Sequence, residues 1–366
     1  MSNNEEERTK DMEKIDADGT RQENNIKFRT EQAEIWYNKG FSFEKMGKLE
    51  DALLCYDKSI EYDPNIAEIW SIRGFTLYNM GKFQDAISSY DQAIKLDPYY
   101  SRAFFSKGRI LEDLKEFEDA LDCYNKAIEI NPNYNEAWVN KGSILSTMGK
   151  FEEAISCFNK AIELEPTAFF PWFNKGIILD KLGKFEDAIF CFNKVIEINS
   201  KNVDVWTSKG ISLGKMGKFK DAIICFDKAI EISPDHKYAW YNKGVALARL
   251  GTFKDAIACY NKAIELDPQY LNAWFEKGIA LDALGKFEEA ITCYDGVIEL
   301  DPNDAVAYYN KACAKSKQKK QKEAIDLLKI VIKMNPAYKN NAKTDSDFDN
   351  IRESKEFRDL IENESF

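Results

Sequence analysis

Residues 135–168 read NEAWVNKGSILSTMGKFEEAISCFNKAIELEPTA, and this stretch decides the fold because variations of it follow one another along most of the chain. Its tryptophan, Trp138, recurs at multiples of 34 residues, and Phe104 and Tyr308 hold the two remaining positions of the series. The recurrences are Trp36, Trp70, Trp172, Trp206, Trp240 and Trp274. A fixed period of this length predicts a repeat array whose units bury their apolar faces by stacking on one another.

Each unit is predicted to be a pair of helices. Trp138, Gly142 and Leu145 fall at i, i+4 and i+7, which is the spacing of an amphipathic helix, here called helix A. Gly149 then provides a residue that adopts positive φ at a helix end, and Pro166 ends the second helix, helix B. The apolar residues of helix B have the same spacing: Ala154, Ile155, Phe158, Ala161 and Ile162.

The pattern W-x3-G, then glycine, then A-x3-[YF]-x2-A and proline resembles the tetratricopeptide repeat. It runs over residues 33–338 as nine tandem copies. The resemblance implies an all-α fold, a right-handed superhelical solenoid of antiparallel helix hairpins in which the A helices line a concave groove. It implies a mode of binding and names no partner.

Two segments outside the repeats differ in composition. Residues 1–32 are rich in charged residues and asparagine, and we expect a disordered leader there, with a short helical extension from Ile26 left open. Residues 339–366 are similar to the segment that closes many such arrays. One face of this segment is apolar, and we expect it to cap the last repeat through Phe348, Ile351, Phe357, Leu360 and Ile361.

Composition excludes several classes of function. The formal net charge is −11 and the pI is about 5.0, which disfavours binding to a nucleic-acid backbone. No apolar run is long enough to cross a membrane, and the start of the chain lacks the apolar core of a signal peptide. We therefore expect a cytoplasmic protein that binds neither nucleic acid nor membranes.

The cysteines point to packing and not to catalysis. Seven of the eight occupy one slot of helix B, where equivalent residues of successive repeats are too far apart for a disulfide. There is no C-x-x-C pair and His236 is the only histidine, so metal-ligand spacing is absent. An enzyme that uses this column is the alternative, but no set of nucleophile and base supports it. We predict no catalytic residues, no metal and no cofactor.

A basic residue precedes the helix A glycine position in all nine repeats, although the ninth repeat has Ala312 at that position. The column is Lys39, Arg73, Lys107, Lys141, Lys175, Lys209, Lys243, Lys277 and Lys311. It forms either a basic ribbon for an acidic ligand or a set of internal ion pairs. We favour internal pairs, with the column of nine acidic residues that runs from Asp51 to Glu323 as the expected partners.

A helical wheel predicts the binding surface. At ~100° per residue, the positions one, two, five and eight after the tryptophan point away from helix B. Rings and carboxamides at these positions suit an extended peptide. The candidate contacts are Tyr37, Asn38, Phe41, Phe75, Phe105, Asn140, Phe173, Asn174, Ile177, Tyr241, Asn242, Phe275, Tyr309 and Asn310.

The function predicted from these residues is a non-catalytic scaffold or adaptor that binds an extended segment of a partner protein in its groove. A self-associating structural scaffold is the alternative. Some tetratricopeptide repeats clamp the acidic C-terminal tails of chaperones with a lysine one residue after the tryptophan position and an asparagine five after it. No unit here has either residue, so we expect no binding of such tails.

Overall fold

The computed structural model describes residues 29–362. These residues form α-helices joined by short turns, with one 3-10 helix and no strand in the described range. The contacts divide the chain into two compact units, Met1–Pro171 and Trp172–Phe366. Most of the predicted leader lies outside the described residues, and the helical part begins no later than residue 29.

The first unit contains the first four repeats. Its helices are α1 (29–45), α2 (Leu49–Tyr62), α3 (Ala67–Asn79), α4 (Phe83–Leu96), α5 (Ser101–Asp113), α6 (Phe117–Ile130), α7 (Asn135–Thr147) and α8 (Phe151–Leu164). Odd-numbered helices are A helices and even-numbered helices are B helices. Each helix from α2 to α7 packs against the next, and α5 also contacts both neighbouring A helices. The A helices therefore line the inner side of this unit.

The second unit follows the same order. Helix α9 (Phe169–Lys181) starts just before the boundary between the units. The later helices are α10 (Phe185–Ile198), α11 (Val203–Lys215), α12 (Phe219–Ile232), α13 (Lys237–Arg249), α14 (Phe253–Leu266), α15 (Leu271–Ala283), α16 (Phe287–Leu300), α17 (Ala305–Lys317) and α18 (Gln321–Met334). The A helices α11, α13, α15 and α17 again contact one another in sequence.

Glycine, alanine and an aromatic ring together set the packing of each hairpin. The helix A glycine lies against the aromatic ring of helix B, and a Cβ atom added to Gly40 would lie 2.7 Å from Tyr56. Alanine at the first buried turn of helix B, such as Ala52 or Ala154, is 0% exposed. The small residues let the two helices approach closely, as the periodicity predicts.

The two loops of each repeat are held in place by different residues. Between helix A and helix B, Gly149 has φ +76°, and Lys115 and Lys319 adopt φ 63° where this glycine is missing. Between helix B and the next helix A, the phased tryptophan is tied to the loop, since Trp138 donates a hydrogen bond to the carbonyl of Pro132 at 2.9 Å. The tryptophan that recurs every 34 residues thus anchors the loop that precedes its own helix A.

A C-terminal segment packs on the last hairpin. It consists of α19 (Ala337–Thr344), a 3-10 helix (Ser346–Phe348) and α20 (Lys355–Glu362). Its apolar side chains join the core of α17 and α18, and the buried members are Phe348, Ile351, Phe357, Leu360 and Ile361. The Arg352 guanidinium donates to the carbonyls of Lys343 and Asp345, which holds the bend between α19 and α20.

Candidate functional site

Five of the six rings that follow the tryptophan position are half-buried and rest on the aromatic residue of helix B. In the first unit, Tyr37 lies 6.1 Å from Tyr56 and Phe105 lies 5.7 Å from Tyr124, measured between ring centroids. In the second unit Phe173, Tyr241 and Phe275 each lie 6.1 Å from the corresponding ring of helix B. These side chains support the hairpin with one face and present the other to the inner surface.

The first unit has a cleft of about 730 Å³ on the inner side of its A helices. Four of the predicted contacts line this cleft: Tyr37, Phe41, Phe75 and Phe105. Phe41 is 40% exposed and Phe75 is 43% exposed, although both are large apolar side chains. We call this the first cleft, and its two exposed rings are its most accessible apolar groups.

Two loop tyrosines complete the first cleft, and the sequence analysis missed them. Tyr100 and Tyr134 precede helices α5 and α7 and line the cleft, with the ring of Tyr134 4.8 Å from that of Phe105. Tyr270 lies 5.0 Å from Tyr241 in the same way in the second unit. The available signal was a tyrosine four residues before the tryptophan position, outside the helical wheel of helix A.

Charged side chains surround the aromatic floor of the first cleft. Glu68 accepts a hydrogen bond from Tyr37 at 3.4 Å and Glu44 accepts one from Tyr56 at 2.8 Å. The Glu68 carboxylate and burial together raise the pKa of Tyr37, with burial the larger cause. Arg102 and Arg109 also line the cleft and have no ion pair within residues 29–362. Lys45 and Glu136 line the cleft as well, with Lys45 4.5 Å from the ring centroid of Phe41 and Arg109 5.6 Å from that of Tyr78. Charges of both signs therefore surround the aromatic floor.

The predicted asparagines have varied surroundings. Asn140 donates to the hydroxyl of Tyr124 at 3.2 Å, and Asn242 donates to the carbonyl of Tyr238 at 2.8 Å. Asn38 is exposed, whereas Asn174 and Asn310 are half-buried. At least two of the predicted asparagines therefore form hydrogen bonds within the protein.

The second unit has a smaller cavity of about 360 Å³ between α11 and α13. Asn242 lines it, together with Ile211, Val245 and Arg249. Phe173 and Ile177 are half-buried on α9 and do not line this cavity.

Tyr309 is not on an accessible surface. It is 8% exposed because the C-terminal segment covers it, and its hydroxyl donates to Asp345 at 2.7 Å. Its ring lies 5.0 Å from Tyr338 and 5.6 Å from Phe348. The expectation that Tyr309 contacts a ligand is therefore replaced by a structural role in holding the C-terminal segment.

The structure also brings together three groups of metal-ligand type that the sequence did not indicate. Cys313, Asp345 and Asp347 have potential ligand atoms within 4.8 Å of one another. Asp345 accepts from Tyr309, and Asp347 pairs with Lys317 at 2.9 Å. Burial, with the two carboxylates, raises the pKa of the Cys313 thiol. The arrangement stabilises a protonated thiol within a hydrogen-bonded network.

Four of the nine residues of the basic column form internal ion pairs, and their partners differ from the predicted acids. Arg73 pairs with Asp57 at 2.7 Å, Lys107 with Asp91 at 2.6 Å and Lys243 with Asp227 at 2.6 Å. Lys311 pairs with Asp295. These acids lie six residues after the predicted slot, and no residue of the slot from Asp51 to Glu323 pairs with this column within 29–362. The partner of each basic residue is thus the helix B residue that faces it from the preceding repeat.

The same column lies over the phased tryptophans. The distances from the cation to the ring centroid run from 4.8 to 5.9 Å, and Lys141 over Trp138 at 5.5 Å is typical. Contacts of this kind are weakly attractive. The basic residues are thus engaged within the fold.

All eight cysteines are free and buried. Burial is the largest cause of their shifted acidity, and it raises the pKa of Cys123, Cys191 and Cys259 to about 11. A thiol with so high a pKa is protonated at neutral pH and is a poor nucleophile. The cysteine column therefore serves packing.

Family models described as tetratricopeptide repeat match most of the length of the array. The matched residues are 33–66, 67–100, 101–134, 136–168, 170–202, 207–270, 259–292 and 305–338, and a TPR repeat model matches 280–319. The chain belongs to the tetratricopeptide repeat family. This confirms the family and the all-α class of fold predicted from the sequence. No curated protein matches the chain.

Solved structures that are similar to this chain include three helical-repeat proteins. The C-terminal part of a TPR repeat-containing protein from Cytophaga hutchinsonii is 17% identical with a TM-score of 0.56, over 65% of this chain and 97% of that one. A chain of the Cut9–Hcn1 hetero-tetramer of APC/C is 18% identical with a TM-score of 0.50, over 73% and 52%. YrrB, a TPR protein with an unusual peptide-binding site, is 26% identical with a TM-score of 0.43, over 49% and 92%. No helix within residues 29–362 is long and apolar enough to span a membrane.

Proposed function

We propose that the chain is a non-catalytic protein-interaction scaffold and that the first cleft binds an extended segment of a partner protein. The observation that carries this proposal is the row of exposed rings in the cleft, Phe41 and Phe75, beside Phe105 and the loop tyrosines. Clustered apolar surface of this kind often marks an interaction site. Membership in a family of helical-repeat interaction proteins supports the same conclusion.

The spacing of the rings favours an extended ligand. Phe41 and Phe75 are equivalent residues of successive repeats, and packed helices lie ~8–10 Å apart. An extended peptide advances ~3.3–3.6 Å per residue, so about three peptide residues span one repeat. The partner segment is expected to place apolar side chains three residues apart, with Arg102 and Arg109 next to its carboxylates or carbonyls.

The proposal extends to the organisation of the whole chain. Residues 33–338 form the array, residues 1–32 a leader and residues 339–366 a cap. In the second unit, the candidate peptide contacts are Phe173, Asn174, Ile177, Tyr241, Asn242, Phe275 and Asn310. The buried, protonated thiols support a role without catalysis, and the net charge of −11 favours a protein over a nucleic-acid partner.

A peptide selection tests the first cleft. Random peptides displayed on phage are selected on the wild-type chain, and the affinity of the enriched peptides is measured by calorimetry. The control is Leu54→Ala, which removes a 62% exposed side chain of α2 that does not line the cleft. Phe41→Ala and Phe75→Ala should each weaken binding by about tenfold or more, and Leu54→Ala should not. Equal affinity of the double Phe variant, with unchanged circular dichroism, would exclude the cleft.

A further inference from the structure

At three of the eight junctions between repeats, a polar pair joins successive A helices. The residue eight positions after the tryptophan position of one repeat faces the residue nine positions after it in the next. In the first unit, Tyr78 donates to Asp113 at 2.7 Å. In the second unit, Lys215 pairs with Asp180 at 2.5 Å and Lys317 pairs with Asp282 at 2.6 Å. We call these the rung pairs.

Two of the eight junctions have a cation at the second position and no acid at the first: Ser146 with Lys181, and Gly214 with Arg249. At the junction of the sixth and seventh repeats, the two positions hold Gly214 and Arg249. Glycine offers no carboxylate, and Arg249 makes no ion pair within residues 29–362. A Cβ atom added to Gly214 would meet no heavy atom within 4 Å, so the space where the acid stands in other repeats is empty of protein atoms.

This space is part of the cavity of about 360 Å³ between α11 and α13. Its walls are apolar and include Phe226 and Val245, and its polar groups are Arg249, Asn242 and Lys215. Lys215 is already paired with Asp180. Arg249 is thus the cation available to a ligand in this cavity.

One other carboxyl group lies within electrostatic reach of Arg249. Burial raises the pKa of Glu276, and Arg249 acts against that rise. The two residues nevertheless form no ion pair, since no N–O distance between them is within 4.0 Å in the described part of the chain. Glu276 therefore does not replace the missing acid.

We infer that this cavity binds a carboxylate side chain from an acidic segment of a partner protein, which pairs with Arg249 as Asp282 pairs with Lys317. A guanidinium can bind a carboxylate through two parallel hydrogen bonds, and the apolar walls favour an apolar residue beside the acid. One cation at the position equivalent to Arg249 already binds a carboxylate from outside the repeats. Lys317 also takes the carboxylate of Asp347, which comes from the C-terminal segment and not from a repeat. The inference does not depend on the first cleft.

The test uses a peptide array of octapeptides that each carry one Asp or Glu among apolar and aromatic residues, beside the same peptides with Asn or Gln. Four purified chains are compared: wild type, Gly214→Ala, Gly214→Asp and Arg249→Gln. Gly214→Asp supplies the missing acid in the free space, so it should occupy Arg249 without disturbing the fold. Gly214→Ala makes a similar change to the backbone but leaves Arg249 available.

The wild type and Gly214→Ala should retain acidic peptides in preference to their amide counterparts. Gly214→Asp and Arg249→Gln should lose about tenfold or more of that affinity in fluorescence anisotropy. Retention of the same peptides by all four chains, or no preference for acid over amide, would overturn the inference. Binding of free glutarate as tightly as the peptides would show a small-anion site and would overturn the assignment to a protein segment. Because Phe41 and Phe75 are unchanged in these variants, failure here leaves the first cleft unaffected.

Discussion

Gly142 is in direct contact with the ring of Phe158, since a Cβ atom on Gly142 would lie 2.8 Å from that ring. The glycine of helix A and the aromatic residue of helix B thus form one packing unit. The same relationship recurs from Gly40 with Tyr56 in the first repeat to Gly278 with Tyr294 in the eighth. It explains why a residue with low helix propensity stands in the middle of helix A.

Gly142→Ala should destabilise the protein. The new methyl group forces the ring of Phe158 to move within a close-packed core, which costs about 1–3 kcal/mol. Gly214→Ala is the matched control, because it makes the same change in a helix A where the added atom meets nothing. This control should gain about 0.5–1 kcal/mol from helix propensity. Urea denaturation followed by circular dichroism measures both, and equal shifts of the two variants would contradict the packing account.

The turn between helix A and helix B gives a second matched pair. Lys115 stands at φ 63° where seven of the nine repeats have glycine, and Gly149 stands at φ +76°. A side chain in this conformation costs ~1–2 kcal/mol. Lys115→Gly should therefore stabilise the protein and Gly149→Lys should destabilise it, by comparable amounts in thermal unfolding. A loss of stability in Lys115→Gly would show that the lysine side chain makes a contact that outweighs its backbone strain.

The basic column permits a test of its ion pairs. Lys107 pairs with Asp91, and the equivalent residues one repeat further on are Lys141 and the uncharged Asn125. Asn125→Asp should add about 0.2–1 kcal/mol of stability at low salt, because it creates an exposed ion pair. The gain should shrink in 1 M NaCl, where the Debye length is about 3 Å. A gain that is insensitive to salt would assign the effect to something other than charge.

The buried cysteines should react slowly, because burial raises the pKa of their thiols. With a pKa of about 11, Cys123, Cys191 and Cys259 carry roughly 300-fold less thiolate at neutral pH than a free cysteine of pKa about 8.5. Labelling with Ellman's reagent should be slow in native buffer and fast in urea. A single rapidly labelled cysteine in the folded chain would contradict this and would indicate a reactive thiol.

The same shifts give a dependence of stability on pH. The thiol pKa is higher in the folded chain than in the unfolded one, so the folded state holds its protons more tightly. This contribution to stability is complete below the unfolded pKa of about 8.5 and is lost as the pH rises towards about 11. Cys123→Ala should have a smaller loss of melting temperature between pH 8 and pH 11 than the wild type. An equal loss of melting temperature in the variant and the wild type would show that the Cys123 thiol does not contribute to this pH dependence.

Residues that repeat every 34 positions allowed much of the fold to be predicted, because each has a local role. Trp138 ties a loop, Gly142 admits a ring and Gly149 ends a helix, and all three roles are visible in the spacing. The candidate rings Phe41 and Phe75 were found by the helical wheel for the same reason.

Other features depend on contacts between a loop and a helix or between repeats, and the pattern of a single helix does not show them. The loop tyrosine Tyr134, at the end of its repeat, meets Phe105 in helix A of the same repeat. The basic column pairs with acids of the preceding repeat. Tyr309 is buried because the C-terminal segment follows the last repeat. The missing acid at Gly214 can be recognised only by comparison with Asp180 and Asp282, which form ion pairs at the equivalent position.

The C-terminal segment should protect the last repeat and not the rest of the chain. Phe348 is 0% exposed, and its ring lies 5.6 Å from Tyr309 and 5.9 Å from Phe357. Phe348→Ala removes a buried ring, a change that typically costs about 3–5 kcal/mol. In a repeat array the loss acts mainly on neighbouring elements. Hydrogen exchange should therefore quicken in α17 to α20 and stay unchanged in α3 to α8. Ser346→Ala, at an exposed position of the same 3-10 helix, is the control. Faster exchange throughout the chain would mean that the segment stabilises the array as a single cooperative unit.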